Sequence, residues 1–467
     1  MAIGRRATES QPSLFVAAQD LPRSAGHPFY ERLNQLLGQA GFDRHVEGLC
    51  QEYYAPKMGR PGTPPGVYFR MMLVGYFEGI DSERGIAWRC NDSLALRSFL
   101  GVALDEAVPD HSTLSRTRRL IDLETHREVF SWVLKLLAEQ GLIKGKTVGI
   151  DATTLEANAA LRSIVRRDDG RGYQEFLTDL AKTSGIETPS RADLAKLDRK
   201  RSKKGSNDDW EHPHDPDARI TKMKDGRTHL AHKVEHAVDM DSGAVLGATV
   251  QPADRADTRS VYTTLSEASD QLAKVSSESE AVMQVRESPA EVVLDKGYHS
   301  NEVLVVLEEL GIRSYVSEPD RGRRRWRGKG DERRATYGNR RRLRGRRGRG
   351  LLRKRGELLE RSFAHVLGTG GMRRVHLRGQ ENIEKRYLVH TAAFNLGLVM
   401  RKLVGRGTPR GLQGLAGMVR AVVDGLVRLA GLLRALFAPI GNRQHSGWPD
   451  LGSHRPRGLQ GTFTTGC

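Results

Sequence analysis

The sequence predicts an α/β fold: a mixed sheet flanked by helices and preceded by an all-α N-terminal domain. Three observations lead there. From Pro28 to about Thr125, apolar residues recur at three- and four-residue spacing. From Lys146 onward, short apolar runs that read as strands alternate with helical patterns. The order is strand, polar insert, strand, strand, helix, strand, helix, strand, helix, which fits an antiparallel opening hairpin followed by parallel crossovers.

Residues 1–27 are polar and read as a mobile N-terminus, with no apolar core long enough for a signal peptide. The helical domain spans 28–125, with helices expected over Val67–Glu78, Ser82–Cys90 and Leu94–Leu100. Gly59-Arg-Pro-Gly-Thr-Pro-Pro65 punctuates it as a loop. In Pro109-Asp-His-Ser-Thr-Leu-Ser-Arg-Thr-Arg-Arg119, Ser112 or Thr113 can cap a helix that presents Arg116, Arg118 and Arg119. A capped basic helix after a short helix resembles a helix-turn-helix DNA reader; a surface helix of a bundle is the other reading.

The second domain is expected over 126–404. Val129–Gln140 is an amphipathic helix, and Lys146-Thr-Val-Gly-Ile-Asp151 a buried strand ending in an acid. A polar insert without strand periodicity follows, near 156–224. Strands are expected at His229–Val238 and Ala244–Gln251 around an Asp239-Met-Asp-Ser-Gly243 turn, then a helix from Thr258 to Leu272 and a loop over 273–289. Glu291-Val-Val-Leu-Asp295 is a second strand ending in Asp. A helix (Ser300–Leu310), a strand (Arg313–Val316), and helices from about Leu351 to Leu367 and Gln380 to Val404 complete the domain. This is the element order of a ribonuclease-H-like core, although other α/β folds share it. Residues 405–467 read as an amphipathic helix and an irregular tail.

The chain carries a formal net charge of +18. The segment from Arg321 to Arg355 holds 18 Lys/Arg against Asp331 and Glu332, so it supplies nearly all of that excess. It reads either as a solvated basic loop or as a loop contacting DNA phosphates, with Arg340, Arg341 and Arg344 among the contacts. Cys50, Cys90 and Cys467 have no CxxC spacing, which excludes a disulfide framework and a zinc knuckle and fits a reducing, cytoplasmic setting. The most apolar stretch, Gly411–Ile440, is interrupted by Arg420, Asp424, Arg428 and Arg434, so no membrane partner is expected.

Asp151 and Asp295 each follow an apolar strand, where an acid can project into a crevice beside the sheet; a turn-capping Asp is the alternative. Asp215 and Asp217 are expected to shape the loop entering the next strand, and Asp254 and Asp257 to cap a helix. His229, His232 and His236 fall on mixed faces of one strand, a poor zinc pattern.

Asp151-Ala-Thr-Thr, Asp215-Pro-Asp-Ala-Arg219, Leu294-Asp295-Lys-Gly-Tyr298, Leu359-Glu360-Arg-Ser-Phe363, Gly371-Met-Arg-Arg374 and Phe394-Asn-Leu396 occur in that order. Together they resemble the DDE transposases of bacterial insertion sequences, over roughly residues 28–404. The resemblance implies a ribonuclease-H-like catalytic domain that cleaves and joins DNA at terminal inverted repeats, acting as a homodimer on paired double-stranded DNA ends. It implies that Asp151 bridges two Mg²⁺ ions (Mn²⁺ being the alternative), that Asp295 and Glu360 each hold one, and that Arg361 touches a DNA phosphate. Glu357, one helical turn earlier, is the other acid, and the Glu-Arg-x-Phe match favours Glu360. Tyr298 and His299 are expected to line the DNA groove; local packing is their other reading. Two ions about 3.5–4 Å apart would activate the attacking oxygen and stabilise the leaving one. Carboxylates that converge without metal should raise the pKa of at least one. The Tyr-x-x-Arg-x-x-x-Glu signature of some groups is absent: Arg353 and Gly356 occupy its Tyr and Arg places, which puts hairpin formation at the ends in doubt. A nuclease that does not join, and a DNA-binding protein with a decayed site, are the competing readings.

Overall fold

The computed structural model describes residues 27–412 except 56–58, 60–61, 202–204, 224–225, 278–284, 321 and 323. The helix expected within Gly411–Ile440 and the tail lie outside the described residues. Seven helices open the chain: α1 (Pro28–Gln39), α2 (Phe42–Cys50), α3 (Pro65–Glu78), α4 (Glu83–Asn91), α5 (Leu94–Leu100), α6 (His111–Leu120) and α7 (Leu123–Glu139). Short polar side chains start several of them: Ser82, Ser93, Asp110 and Asp122 each accept a backbone N–H from the first turn. The cap of α6 is therefore Asp110, which accepts the Thr113 N–H at 2.7 Å, and not Ser112 or Thr113. Of the three arginines on α6, Arg116 and Arg119 are exposed, whereas Arg118 is buried in an ion pair with Glu83 of α4.

β1 (Thr147–Glu156) begins the sheet. The insert is more structured than its polarity predicted. It holds β2 (Val165–Arg166), α8 (Tyr173–Thr183), α9 (Arg191–Lys200), β3 (Trp210–Glu211) and β4 (Arg219–Lys222). Two small cores support it, one around Ile164, Trp210 and Leu230 and one of Leu177, Ala181 and Leu194. Then come β5 (Thr228–Asp239), β6 (Val245–Pro252), α10 (Asp257–Ser277), β7 (Glu291–Leu294), α11 (Asn301–Glu309), β8 (Arg313–Val316), α12 (Gly330–Arg344), α13 (Arg346–Phe363) and α14 (Gln380–Val404). From Gly330 onward the basic segment is thus helical, not a loop. Arginine is a good helix former, and ion pairs to Glu318, Glu308, Asp331 and Glu291 offset much of its self-repulsion.

Along the sheet the strands run β6-β5-β1-β7-β8, with β5 antiparallel to both neighbours and β7 and β8 parallel to β1. This mixed, helix-covered sheet is the ribonuclease-H-like arrangement. β4 pairs with the start of β5, on the edge that β6 occupies further along. The sheet's two outer strands are each closed by a buried asparagine. Asn395 of α14 bonds both the N–H (3.0 Å) and the C=O (2.8 Å) of Val245. Asn339 of α12 does the same at Val316, at 2.9 and 2.8 Å. Each amide supplies both hydrogen bonds that a further strand would have made. That accounts for the asparagine in Phe394-Asn-Leu396.

Asp215 and Asp217 act at a distance, because they cap α14. Asp215 accepts the Gly379 N–H and Asp217 the Gln380 N–H, both at 3.0 Å. Asp215 also lies 3.4 Å from buried His232. The apolar side chains of the N-terminal helices and of the sheet form one continuous core. Among the described residues, no helix is long and apolar enough to cross a membrane.

Candidate active site

β1 does not stop at Asp151 but runs five residues beyond it, paired to β5 throughout. Its parallel pairing with β7 covers only Thr147–Gly149, opposite Glu291–Val293. Two residues further along that register, Asp151 stands level with Asp295, the first residue after β7. Side chains alternate across a sheet, so Thr147, Gly149 and Asp151 share one face with Glu291, Val293 and Asp295. The hydrogen bond from Thr147 Oγ1 to Glu291 Oε2, 2.7 Å, marks that face. The pairing of β1 with β7 ends at Gly149 and Val293, two residues before the aspartates.

α13 covers this face. Leu359 and the aliphatic stem of Arg355 lie over Gly149, where a Cβ would come within 3.1 Å of Leu359 Cδ1, 3.2 Å of Arg355 Cγ and 2.7 Å of Met240 Sδ. His236, opposite Asp151 on β5, contacts Ser362 Oγ at 2.9 Å, stacks on Phe363 and meets the Tyr387 hydroxyl at 2.7 Å. Burial pushes the His236 pKa down to about 3 and that of His126 down to about 4. A histidine with a depressed folded pKa contributes stability that is full above its unfolded value near 6.5 and is lost as pH falls towards the folded value. For His236 the loss by pH 4 is on the order of 3 kcal/mol. The raised carboxyls of Asp151, Glu267 and Glu384 act in the opposite direction. Denaturant midpoints measured from pH 7 to pH 4 should therefore fall more steeply for the native protein than for His236→Gln. Parallel curves would refute a buried neutral His236.

Asp151 is partly buried. Its Oδ1 accepts the Ala152 N–H at 2.9 Å, and its Oδ2 lies 3.0 Å from Arg355 Nη1. Burial raises the Asp151 pKa above the usual carboxylate range; Arg355 and the Ala152 N–H oppose this, and Asp295 adds to it. The expected upward shift is present, with burial as its main cause and carboxylate repulsion as a lesser one. Asp295 Oδ1 accepts the Gly297 N–H at 2.8 Å. A Cβ at Gly297 would lie 3.1 Å from Asp295 Oδ1 and 2.7 Å from Asp257 Oδ2, so only glycine lets the turn pass between these acids. Asp257 opens α10 but pairs with buried Lys233. Lys233 also bonds Ser260 Oγ at 2.8 Å, and Ser260 and Thr264 donate to buried Glu235. Sequence reasoning missed Lys233 and Glu235; charged residues inside a strand were the available signal.

The remaining expected site residues fall into three groups. Tyr298 and His299 are each 1% exposed, and Tyr298 donates to Glu235 Oε1 at 3.0 Å. They lie beneath the turn after Asp295 and do not line a groove, because both side chains are buried. Arg340 pairs with Glu318 at 2.6 Å and Arg361 with Glu357 at 2.5 Å; the Arg361 pair is exposed on both sides, so a phosphate could replace its partner. Arg341 and Arg344 are exposed. Glu360 is also exposed. With 3.6 residues per turn, it shares the outward face of α13 with Arg346, Arg349 and Arg353, away from Arg355 and Leu359. No group of three His, Cys, Asp or Glu side chains placed to hold a metal occurs among the described residues. The pair Asp151 and Asp295 nevertheless fits a hard divalent cation, since Mg²⁺ takes one or two carboxylates and completes its shell with water and phosphate.

The sheet order is that of ribonuclease-H-like folds, with an aspartate just past the paired stretch of the first and fourth core strands. Residues 150–396 match the family described as Transposase DDE domain, and residues 17–120 match Transposase domain (DUF772). The first match spans more than half the chain, and the protein belongs to the DDE transposase family: it is a DNA transposase. No solved structure matches the chain.

Proposed function

We propose that this transposase cleaves DNA at the terminal inverted repeats of an insertion sequence and transfers the resulting 3′ ends to target DNA, using divalent metal held by Asp151 and Asp295, with Glu360 the third ligand only if α13 turns its outward face to them. What supports the reading is that Asp151 and Asp295 both lie two residues beyond the last β1–β7 pair, so that the register, continued, brings them level, and that Asp295 helps raise the Asp151 pKa. Bound Mg²⁺, or Mn²⁺ in its place, would activate the attacking oxygen and stabilise the leaving one. The protein's own residues orient the acids: the N–H groups of Ala152 and Gly297 each fix one oxygen of an aspartate, and Tyr298 pins the turn that follows Asp295. For Glu360 the support is the Glu-Arg-Ser-Phe sequence inside the matched region alone, since its helix face points away from the two aspartates. Arg341, Arg344 and that face would grip the DNA backbone, while Arg116 and Arg119 of α6 would contact the ends. A homodimer on paired ends is part of the proposal.

Pre-cleaved end DNA with a free 3′-OH, incubated with a supercoiled target plasmid and Mg²⁺, should yield joined products. Cleavage of intact ends without any joining would favour the nuclease reading.

A further inference from the structure

Resting on the metal-site reading above, we infer that Arg355 is a tethered counter-ion of Asp151, which holds that carboxylate in the metal-free protein and yields it to a divalent cation. The guanidinium is mostly buried and faces the one oxygen of Asp151 not bonded to the backbone. A further contact runs from Nη1 to Ile150 O at 3.4 Å. Its buried Nε has no hydrogen-bond partner among the described residues. The guanidinium is thus incompletely satisfied where it lies.

A second arginine on the same helix shows why Arg355 is free to leave. Arg347 pairs with Glu291, beside Thr147 at the start of β1. Eight helical residues rise about 12 Å, and the four strand residues from Thr147 to Asp151 span about 13 Å, so both arginine pairs close together along one line. Arg347, Leu359 and Ser362 keep α13 docked whether or not Arg355 is engaged. Glu291 serves no proposed chemistry, so its pair with Arg347 has no need to open. Asp151 must be released before it can bind metal. With Arg355 in place the two aspartates present a net charge of about −1 instead of −2, which weakens the pull on a divalent ion. A displaced guanidinium suits a DNA phosphate, which it can bind through two parallel N–H groups.

Mn²⁺ binding to the full-length, DNA-free protein, followed by the electron paramagnetic resonance signal of free Mn²⁺ and by calorimetry, tests this without recourse to activity. R355M, which keeps the aliphatic stem over Gly149, should bind Mn²⁺ about three- to tenfold more tightly than the native protein, the range set by losing a partly buried ion pair. R355K should remain within about twofold of native, and D151N should abolish the gain. R355Q gives the same comparison should R355M unfold. Affinity unchanged or reduced in both neutral variants, with binding still dependent on Asp151, would overturn the role of Arg355 alone. Mn²⁺ binding insensitive to D151N and D295N in every variant would overturn the metal-site reading, and this inference with it.

Discussion

Asp295→Asn should reduce end cleavage by about a thousandfold or more while leaving DNA binding within about twofold of native. Asparagine is nearly isosteric, and its side-chain oxygen can still accept the Gly297 N–H that shapes the turn. What it loses is the negative charge. A metal ion contributes several kcal/mol of transition-state stabilisation, and about 4 kcal/mol corresponds to a thousandfold in rate. Binding should persist because the proposed phosphate contacts are exposed arginines that the substitution does not touch. Cleavage and gel-shift titrations on the same end DNA give both quantities. Cleavage at the native rate would sink the assignment of Asp295.

Gly149→Val should be the most damaging change that alters no charge and no candidate ligand. By strand propensity alone it is favourable, since valine suits a buried strand better than glycine. Packing argues the other way: an added Cβ meets Met240, Leu359 and Arg355 within 2.7–3.2 Å. Overpacking of this kind costs about 1–3 kcal/mol. The strain would lift α13 from β1, and that helix carries Arg355 and Glu360. A displacement near 1 Å at a reacting site can cost about a hundredfold in rate. Denaturant midpoint and cleavage rate should fall together, with α6-dependent end binding retained. A variant as stable and as active as the native protein would show that α13 need not lie so close.

Much of the fold was legible in the chain. Helix α5, strand β8 and helix α14 have the bounds their periodicity predicts, because each combines a clear apolar pattern with end signals such as Ser93 and Gly405. The insert was not legible. Its helices bury only a few residues each, too few for a pattern to rise above the surrounding charge. Neither was the helical state of the arginine run, whose acidic partners Glu291, Glu308 and Glu318 lie outside the segment.

The candidate site divides in the same way. Asp151 and Asp295 could be picked out locally, since an acid after an apolar strand is a short-range pattern. The family, too, could be read from the order of short motifs, which the profile matches show. Tertiary structure alone settled what each acid and each arginine faces. It set Asp151 level with Asp295 through a register between strands about 140 residues apart, turned Tyr298 and His299 into the core, and sent Asp215 and Asp217 to the start of α14. It also seated Arg355 on Asp151 and left Glu360 on the outward face of the same helix. Periodicity determines which face of an element is apolar, because that depends only on neighbours along the chain. The partner a charged side chain meets depends on how distant elements pack, and no local pattern encodes it.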